Sequence, residues 1–403
     1  MSKVPKLRFK EFRGDWRIDA LEPHVDILSG VPLKSDEISE DEKGVPILRG
    51  INITEGFIRH SKDIDRYYLS STKQVEKFLV AKGDLVIGMD GSKVGKNVAL
   101  VSESDSGAIL IQRVARIRSN HTSDIRFIYH HIFSPKFHRY VDEVNTSSGI
   151  PHISLKQINE FKIGFPSLPE QQKIASFLSA VDEKIQQLTR KKEWLEQYKK
   201  GVMQQLFSGK LRFKDPNGKP YPKWEEKKLG DIGKIRMCKR VFNNETSQTG
   251  DVPFYKIGTF GKDADAYITL EHYLSFKEKY PFPKVGEILI SAAGTLGRTV
   301  VYDGRPAYFQ DSNIVWIEND EKLVINSFLY FVYQIVKYDS EGGTIQRLYN
   351  NIISSAKFSK PSIEEQQKIA SYLTALDAKI ESVAAQVSKV QEFKKGLLQQ
   401  MFV

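Results

Sequence analysis

Two stretches of this chain carry apolar residues at alternating steps of three and four. The first aligns Ile174, Leu178, Val181, Ile185, Leu188, Leu195, Tyr198, Val202 and Leu206 on one stripe. The second aligns Ile369, Leu373, Leu376, Ile380, Val383, Val387, Val390, Phe393, Leu397 and Met401. A stripe kept over about five heptads predicts a helix with a coiled-coil seam. Each stretch opens on Ser-x-x-Glu (Ser167 with Glu170, Ser362 with Glu365), the pattern of a capping box. The first ends at Ser208-Gly209, and Pro216, Pro220 and Pro222 keep the following segment extended. At ~1.5 Å per residue, each helix should run for roughly 57 Å.

The two stretches are copies. Residues 170–207 and 365–402 align without a gap at an offset of 195, with 18 of 38 positions identical. The phrase after the first helix, Gly209-Lys210-Leu211-Arg212-Phe213-Lys214 leading to Trp224, recurs at the start of the chain as Pro5-Lys6-Leu7-Arg8-Phe9-Lys10 leading to Trp16. The repeat is therefore circular. It predicts neighbouring termini, approximate twofold symmetry and an antiparallel helix pair. The alternative is two amphipathic helices, each lying on its own domain.

Polar residues repeat near the helix ends: Glu170, Gln171, Gln172 and Lys173 with Glu365, Gln366, Gln367 and Lys368; Lys199 and Lys200 with Lys394 and Lys395; Gln204 and Gln205 with Gln399 and Gln400. Between Gln186 and Tyr198 no aligned position is identical, although the seam stays apolar. In an antiparallel pair each end joins the start of one helix to the finish of the other. Both ends would then present one surface, which suits two copies of a single partner.

The segments outside the helices alternate short β-like runs with turns. Strands are expected at 45–53, 84–89, 97–101 and 108–118, and again at 252–258, 286–292, 299–302 and 313–318. Helices are expected at 124–144 and 322–338. Val45-Pro46-Ile47-Leu48-Arg49 parallels Val252-Pro253-Phe254-Tyr255-Lys256, and two further strands lead into the turns Gly91-Ser92-Lys93-Val94-Gly95-Lys96 and Gly294-Thr295-Leu296-Gly297-Arg298. The expected fold is α+β: two similar globular domains separated by two long antiparallel coiled-coil helices, with a circular pseudo-twofold repeat. The boundaries fall at 1–166, 167–208, 209–360 and 361–403. A shared scaffold with divergent surface residues suggests two similar tasks on two different targets.

Charge and chemistry narrow the class. Over 403 residues, 60 Lys and Arg against 50 Asp and Glu leave a net charge of +10, a surplus that favours a polyanionic partner. The single Cys238 excludes disulfide frameworks and cysteine-based zinc sites. No apolar run follows Met1-Ser2-Lys3-Val4-Pro5-Lys6 and none reaches the ~18 residues of a membrane span, so a cytoplasmic protein is expected. No Asn/Asp-Pro-Pro-Tyr/Phe segment of an amino-methyltransferase occurs. Asp90-Gly91-Ser92-Lys93-Val94-Gly95-Lys96-Asn97 resembles a P-loop but has Asp90 for the first Gly and Asn97 for the Ser/Thr. His130 and His131 lie on an expected helix without metal-ligand spacing. No catalytic residue and no metal ligand is assigned.

Together these features resemble one family, the specificity (S) subunit of type I restriction–modification systems. The resemblance covers essentially the whole chain. It rests on Pro-x-x-x-Glu-Gln-Gln-Lys-Ile-Ala at each helix head, the two Gly turns, the segments Ser147-Ser148-Gly149-Ile150-Pro151-His152-Ile153 and Gly342-Gly343-Thr344-Ile345, and the circular repeat. In the second half Gln346-Arg347 stands where the first has Pro151-His152. The resemblance implies two target recognition domains, each reading one half of a bipartite double-stranded DNA site. The helices would act as a ruler and as the dock for two methyltransferase subunits. Two restriction subunits would join, and S-adenosylmethionine, ATP and Mg would belong to those partners, leaving no cofactor and no catalysis in this chain. A helix of roughly 57 Å corresponds to about 17 base pairs at ~3.4 Å each. Ser92, Lys93, Lys96, Thr295 and Arg298 are then candidate phosphate contacts, or else parts of a tight turn facing solvent. His152, Lys156, Arg347, Tyr349 and Asn350 are candidates for DNA contact from the loops before the last strand. The competing class is a coiled-coil interaction scaffold without DNA specificity.

Overall fold

Leu85-Val86-Ile87 and Ile288-Leu289-Ile290 are uninterrupted apolar triplets, and each is buried in an inner strand of a four-stranded sheet. Strands covered on both faces have no reason to alternate polar and apolar residues. The computed structural model describes residues 4–145, 150–338 and 347–403. They divide into unit 1, Met1–Lys191 with Val383–Val403, and unit 2, Lys192–Ser382. Ser147-Ser148-Gly149, Gly342-Gly343-Thr344-Ile345 and Gln346 lie outside the described residues.

In unit 1 the main sheet is antiparallel throughout, in the order Val25–Ser29, Val114–Ser119, Leu85–Gly88, Val98–Leu100. Unit 2 repeats it with Gly233–Met237, Ile314–Asn319, Ile288–Ser291 and Thr299–Val301. Beside it each unit carries a second sheet holding one parallel pair, Val45–Leu48 with Ile109–Leu110 and Val252–Tyr255 with Tyr308–Phe309. The first strand of each unit, Arg17–Ala20 or Glu225–Lys228, pairs with the strand just before the long helix, Lys162–Phe165 or Lys357–Lys360. Two units with the same strand order bear out the α+β repeat.

The long helices are α1, Leu168–Phe207, and α2, Ile363–Met401. Ile174 and Leu178 of α1 share the unit 1 core with Leu397, Leu398 and Met401 of α2. In unit 2, Val202, Met203 and Leu206 share a core with Ile369 and Leu373. Within each unit the start of one helix therefore packs against the finish of the other, in antiparallel sense. In unit 1 the Leu7 N–H donates to the Gln400 carbonyl at 2.9 Å, and in unit 2 the Leu211 N–H donates to the Gln205 carbonyl at 3.0 Å. The circular reading of the repeat is thus visible as one bond made twice.

Several details differ from expectation. The helix expected over 124–144 is two, Ile125–Ile132 and Pro135–Val144, because Ser134 caps the second and Pro135 cannot continue the first. The run 108–118 is two strands, Ile109–Leu110 and Val114–Ser119, parted at Arg113, whose φ of 70° breaks extension. The later helix starts only at Asn326 and ends at Ile335. Tyr198 and Phe393, placed on the seam by periodicity, are both 53% exposed.

Candidate nucleic-acid interface

Each Gly turn leaves an inner strand and is stitched to the loop preceding the last short helix. In unit 1 the Gly91 N–H donates to the Pro151 carbonyl at 3.0 Å and the Ile153 N–H to the Met89 carbonyl at 2.9 Å. In unit 2 the Leu348 N–H donates to the Ala292 carbonyl at 2.8 Å. Asp90 bridges to His152 as Ala293 bridges to Arg347. Two groups of residues chosen separately from the sequence are thus brought together, once per unit. A third element joins them, a residue in the left-handed region: Arg113 (φ 70°) and Ser312 (φ 53°).

The turns themselves are shaped by close packing and internal hydrogen bonds. Gly95 has φ 75°, and a Cβ there would lie 2.7 Å from Cγ2 of Val141, so only glycine fits. Asp90, the residue that spoils a P-loop, accepts a hydrogen bond from His152 Nδ1 and lies 3.2 Å from Arg113 Nε. It ties the turn to the loop that carries His152 and to Arg113. In unit 2 the Ser291 hydroxyl donates to the Thr295 carbonyl at 2.5 Å and accepts from the Arg298 N–H at 2.8 Å.

The candidate side chains fall into two groups. Ser92, Lys93, Lys96, His152, Lys156, Thr295, Tyr349 and Asn350 are exposed. Lys93 Nζ lies 3.0 Å from Glu55 and Lys156 Nζ 3.7 Å from Glu160, ion pairs loose enough in water to be exchanged for phosphate. Arg298 and Arg347 are half-buried; they donate to the carbonyls of Phe260 at 2.8 Å and Ser312 at 2.9 Å. Their first task is holding the turn, although Arg347 also covers the exposed Tyr349 ring at 5.9 Å.

The sequence reading missed the hairpin of residues 51–60 next to the first Gly turn. Ile53 pairs with Ile58, and the Gly56 N–H donates to the Val98 carbonyl at 2.8 Å. The signal was present as Phe57, an aromatic in an otherwise polar turn. His60 fixes the hairpin base, with Nε2 2.8 Å from Asp105 and Nδ1 3.1 Å from Asp65. Burial pulls its pKa down, but hydrogen bonds to the two carboxylates outweigh it and leave the pKa above the ordinary value.

The polar residues repeated at the helix ends also separate. Glu170, Gln171, Glu365 and Gln366 are buried and unavailable to a partner. Arg8 holds Glu170 through two hydrogen bonds at 2.7 and 2.8 Å, as Arg212 holds Glu365 at 3.1 and 2.6 Å. The glutamates of the two expected capping boxes therefore face arginines, which bind a carboxylate more strongly than a lone peptide N–H does. Gln171 donates to the Pro166 and Thr122 carbonyls, and Gln366 to those of Pro361 and Leu323. These residues recur because each unit closes on itself in the same way. Lys199 and Lys394 are likewise engaged, with Asp377 at 2.6 Å and Asp182 at 2.5 Å. Gln172, Lys173, Lys200, Gln204, Gln205, Gln367, Lys395, Gln399 and Gln400 remain exposed, and Lys368 is half-buried.

Cys238 is buried, and burial pushes its thiol up to about 12. Among the described residues no group of three His, Cys, Asp or Glu is placed to hold a metal ion. No helix among them is long and apolar enough to cross a membrane.

The sequence profile of the type I restriction modification DNA specificity domain matches residues 26–197 and again 221–392. The chain belongs to this family, that of the specificity subunits of type I restriction–modification systems. It is 56% identical over 156 residues to a putative type I restriction enzyme specificity subunit of Haemophilus influenzae, a match spanning 38% of this chain and 40% of that protein. Over 98% of its length it is 24% identical to the putative MjaX specificity subunit of Methanocaldococcus jannaschii, covering 94% of it. The EcoBI specificity subunit of Escherichia coli is 22% identical, over 96% of this chain and 85% of its own. The fold matches the crystal structure of the S subunit from M. genitalium with a TM-score of 0.64, at 19% identity and 99% coverage of both chains.

Proposed function

We propose that this subunit reads a bipartite site on double-stranded DNA, one half-site per unit, in the cytoplasm. The observation that carries the reading is the doubled junction of Gly turn, left-handed residue and preceding loop, built alike in both units and surfaced differently. Basic side chains there (Lys93, Lys96, Arg113, Lys156, Arg298 and Arg347) would supply the sequence-independent attraction to phosphate, and their neighbours would read base edges. Segments 1–166 and 209–360 serve as the recognition domains. Segments 167–208 and 361–403 serve as ruler and dock. Two methyltransferase subunits engage the exposed repeated residues, Gln172, Lys173, Lys200, Gln204 and Gln205 with Gln367, Lys395, Gln399 and Gln400, and the half-buried Lys368 beside them. Restriction subunits join them, and S-adenosylmethionine, ATP and Mg belong to those partners.

The test is methylome sequencing of cells carrying the complete system, joined to DNA-binding titrations at several salt concentrations. A split asymmetric methylated motif and a steep loss of affinity with salt are expected. Unaltered DNA mobility at low salt, with or without the methyltransferase subunits, would instead favour a protein-only scaffold.

A further inference from the structure

The 51–60 hairpin carries two large apolar side chains in water, Ile51 at 49% and Phe57 at 57% exposed. The backbone that carries them is firmly held. The Thr54 hydroxyl and the Thr54 N–H both donate to the Phe57 carbonyl, at 2.6 and 3.1 Å. Asn52 is fully buried inside the hairpin: it accepts from the Arg49 N–H at 3.1 Å and donates to the Arg59 carbonyl and to Asp65, both at 3.2 Å. Glu55 ties the tip to Lys93 of the Gly turn. A large apolar side chain on so firmly held a backbone, yet left half in solvent, is placed to meet something.

The surroundings say what. Exposed Lys93, Lys96 and Arg59 lie on the hairpin and the adjoining turn against one exposed carboxylate, Glu55, which is paired with Lys93, so the aromatic sits within a net basic rim suited to a polyanion. Unit 2 does not keep the feature. The segment that follows Val252–Tyr255 exposes no large apolar side chain: Phe260 takes the buried place of Ile53, each 1% exposed, and Ala264 falls where unit 1 has Phe57. A scaffold role would recur in both units, whereas a role in one half-site would not. On duplex DNA the apolar mark open to such a side chain is the C5 methyl of thymine in the major groove.

Resting on the DNA-reading function above, we infer that Phe57 is a specificity-determining residue that recognises a thymine methyl in the half-site read by unit 1. The test uses the full chain with its methyltransferase subunits and duplexes carrying the methylome motif. Each thymine of the unit 1 half-site is replaced in turn by deoxyuridine, which removes only the methyl. One position is expected to lose about fourfold in affinity, as for burial of a single methyl. Phe57→Ala should weaken binding about tenfold or more and abolish that sensitivity, while Phe57→Tyr, which keeps the ring, should retain it. Phe57 is exposed, and an unchanged far-UV spectrum would verify the fold of each variant. A motif whose affinity is indifferent to every deoxyuridine, or a sensitivity that survives in Phe57→Ala, would overturn the inference and leave the reader function standing. Absence of any sequence-specific binding would instead remove the function on which it rests.

Discussion

Lys199 Nζ lies 2.6 Å from Asp377 Oδ1, and each residue has its image 195 positions away in a second pair, Lys394 and Asp182. In unit 2 the lysine comes from α1, and in unit 1 from α2. Antiparallel packing makes this exchange, because each unit takes the start of one helix and the finish of the other. The lysines also share a setting: Lys199 lies 5.3 Å from the Phe331 ring centroid, and Lys394 lies 4.7 Å from that of Phe133.

The two pairs are not equally buried. Lys394 has a side-chain exposure of 9% against 15% for Lys199, and burial raises the Asp182 pKa against the pull of Lys394. Lys394→Ala should therefore destabilise unit 1 by about 2 kcal/mol, and Lys199→Ala should cost unit 2 less. Denaturation followed by Trp16, the one tryptophan in unit 1, would measure the first effect.

Acid should attack unit 1 before unit 2. His130 and His131 are buried beneath the helix pair, and burial holds both well below the ordinary histidine pKa. The unfolded chain thus binds protons more readily, so stability is full above about pH 6.5 and falls as pH drops below it. Unit 2 has Phe331 and Val332 at the matching helix positions. His130→Phe with His131→Val should flatten the decline of Tm between about pH 7 and 5.

His60 acts with the opposite sign. Its pKa is raised in the fold, so its clamp on Asp65 and Asp105 is fully present below the unfolded value of about 6.5 and is lost as pH rises through the folded one. Amide exchange in residues 50–66, corrected for its intrinsic pH dependence, should be more protected at pH 6 than at pH 8. His60→Gln should remove the difference.

Closing residues and docking residues should separate experimentally. Glu365→Ala leaves Arg212 and the Trp224 N–H, now 2.8 Å from the carboxylate, without their partner, and should destabilise unit 2 by about 3 kcal/mol. Lys200→Glu and Gln204→Ala lie on the exposed surface and should leave Tm unchanged while weakening methyltransferase binding, as read by calorimetric titration.

If Lys93 and Lys96 neutralise phosphates, each alanine substitution should lower the slope of log affinity against log salt by about 0.9 and weaken all sequences alike. A change in the methylated motif would instead assign these lysines to base reading.

Much of this architecture was legible because it repeats. The 195-residue offset and the apolar stripe defined α1 and α2 almost to the residue, since Gly209, at φ 71°, ends the first. The sheet pairing was not legible: Ile109–Leu110 and Tyr308–Phe309 are two-residue strands, too short for periodicity to register. Repetition also misled. Glu170 and Gln171 recur as Glu365 and Gln366, yet what preserves them lies within each unit, at Arg8, Pro166, Arg212 and Pro361. Sequence distance hid those partners, which lie up to 162 positions away.

Unit 2 occupies one unbroken stretch, whereas unit 1 needs residues 383–403 to complete its core with Leu397, Leu398 and Met401. On the ribosome the order of maturation is therefore the reverse of the order of synthesis. Residues 192–382 are complete as soon as they emerge, while Ile174 and Leu178 wait for partners translated some 220 residues later. The unit made first is the unit finished last, and during that interval its helix seam is the surface that chaperones would have to cover.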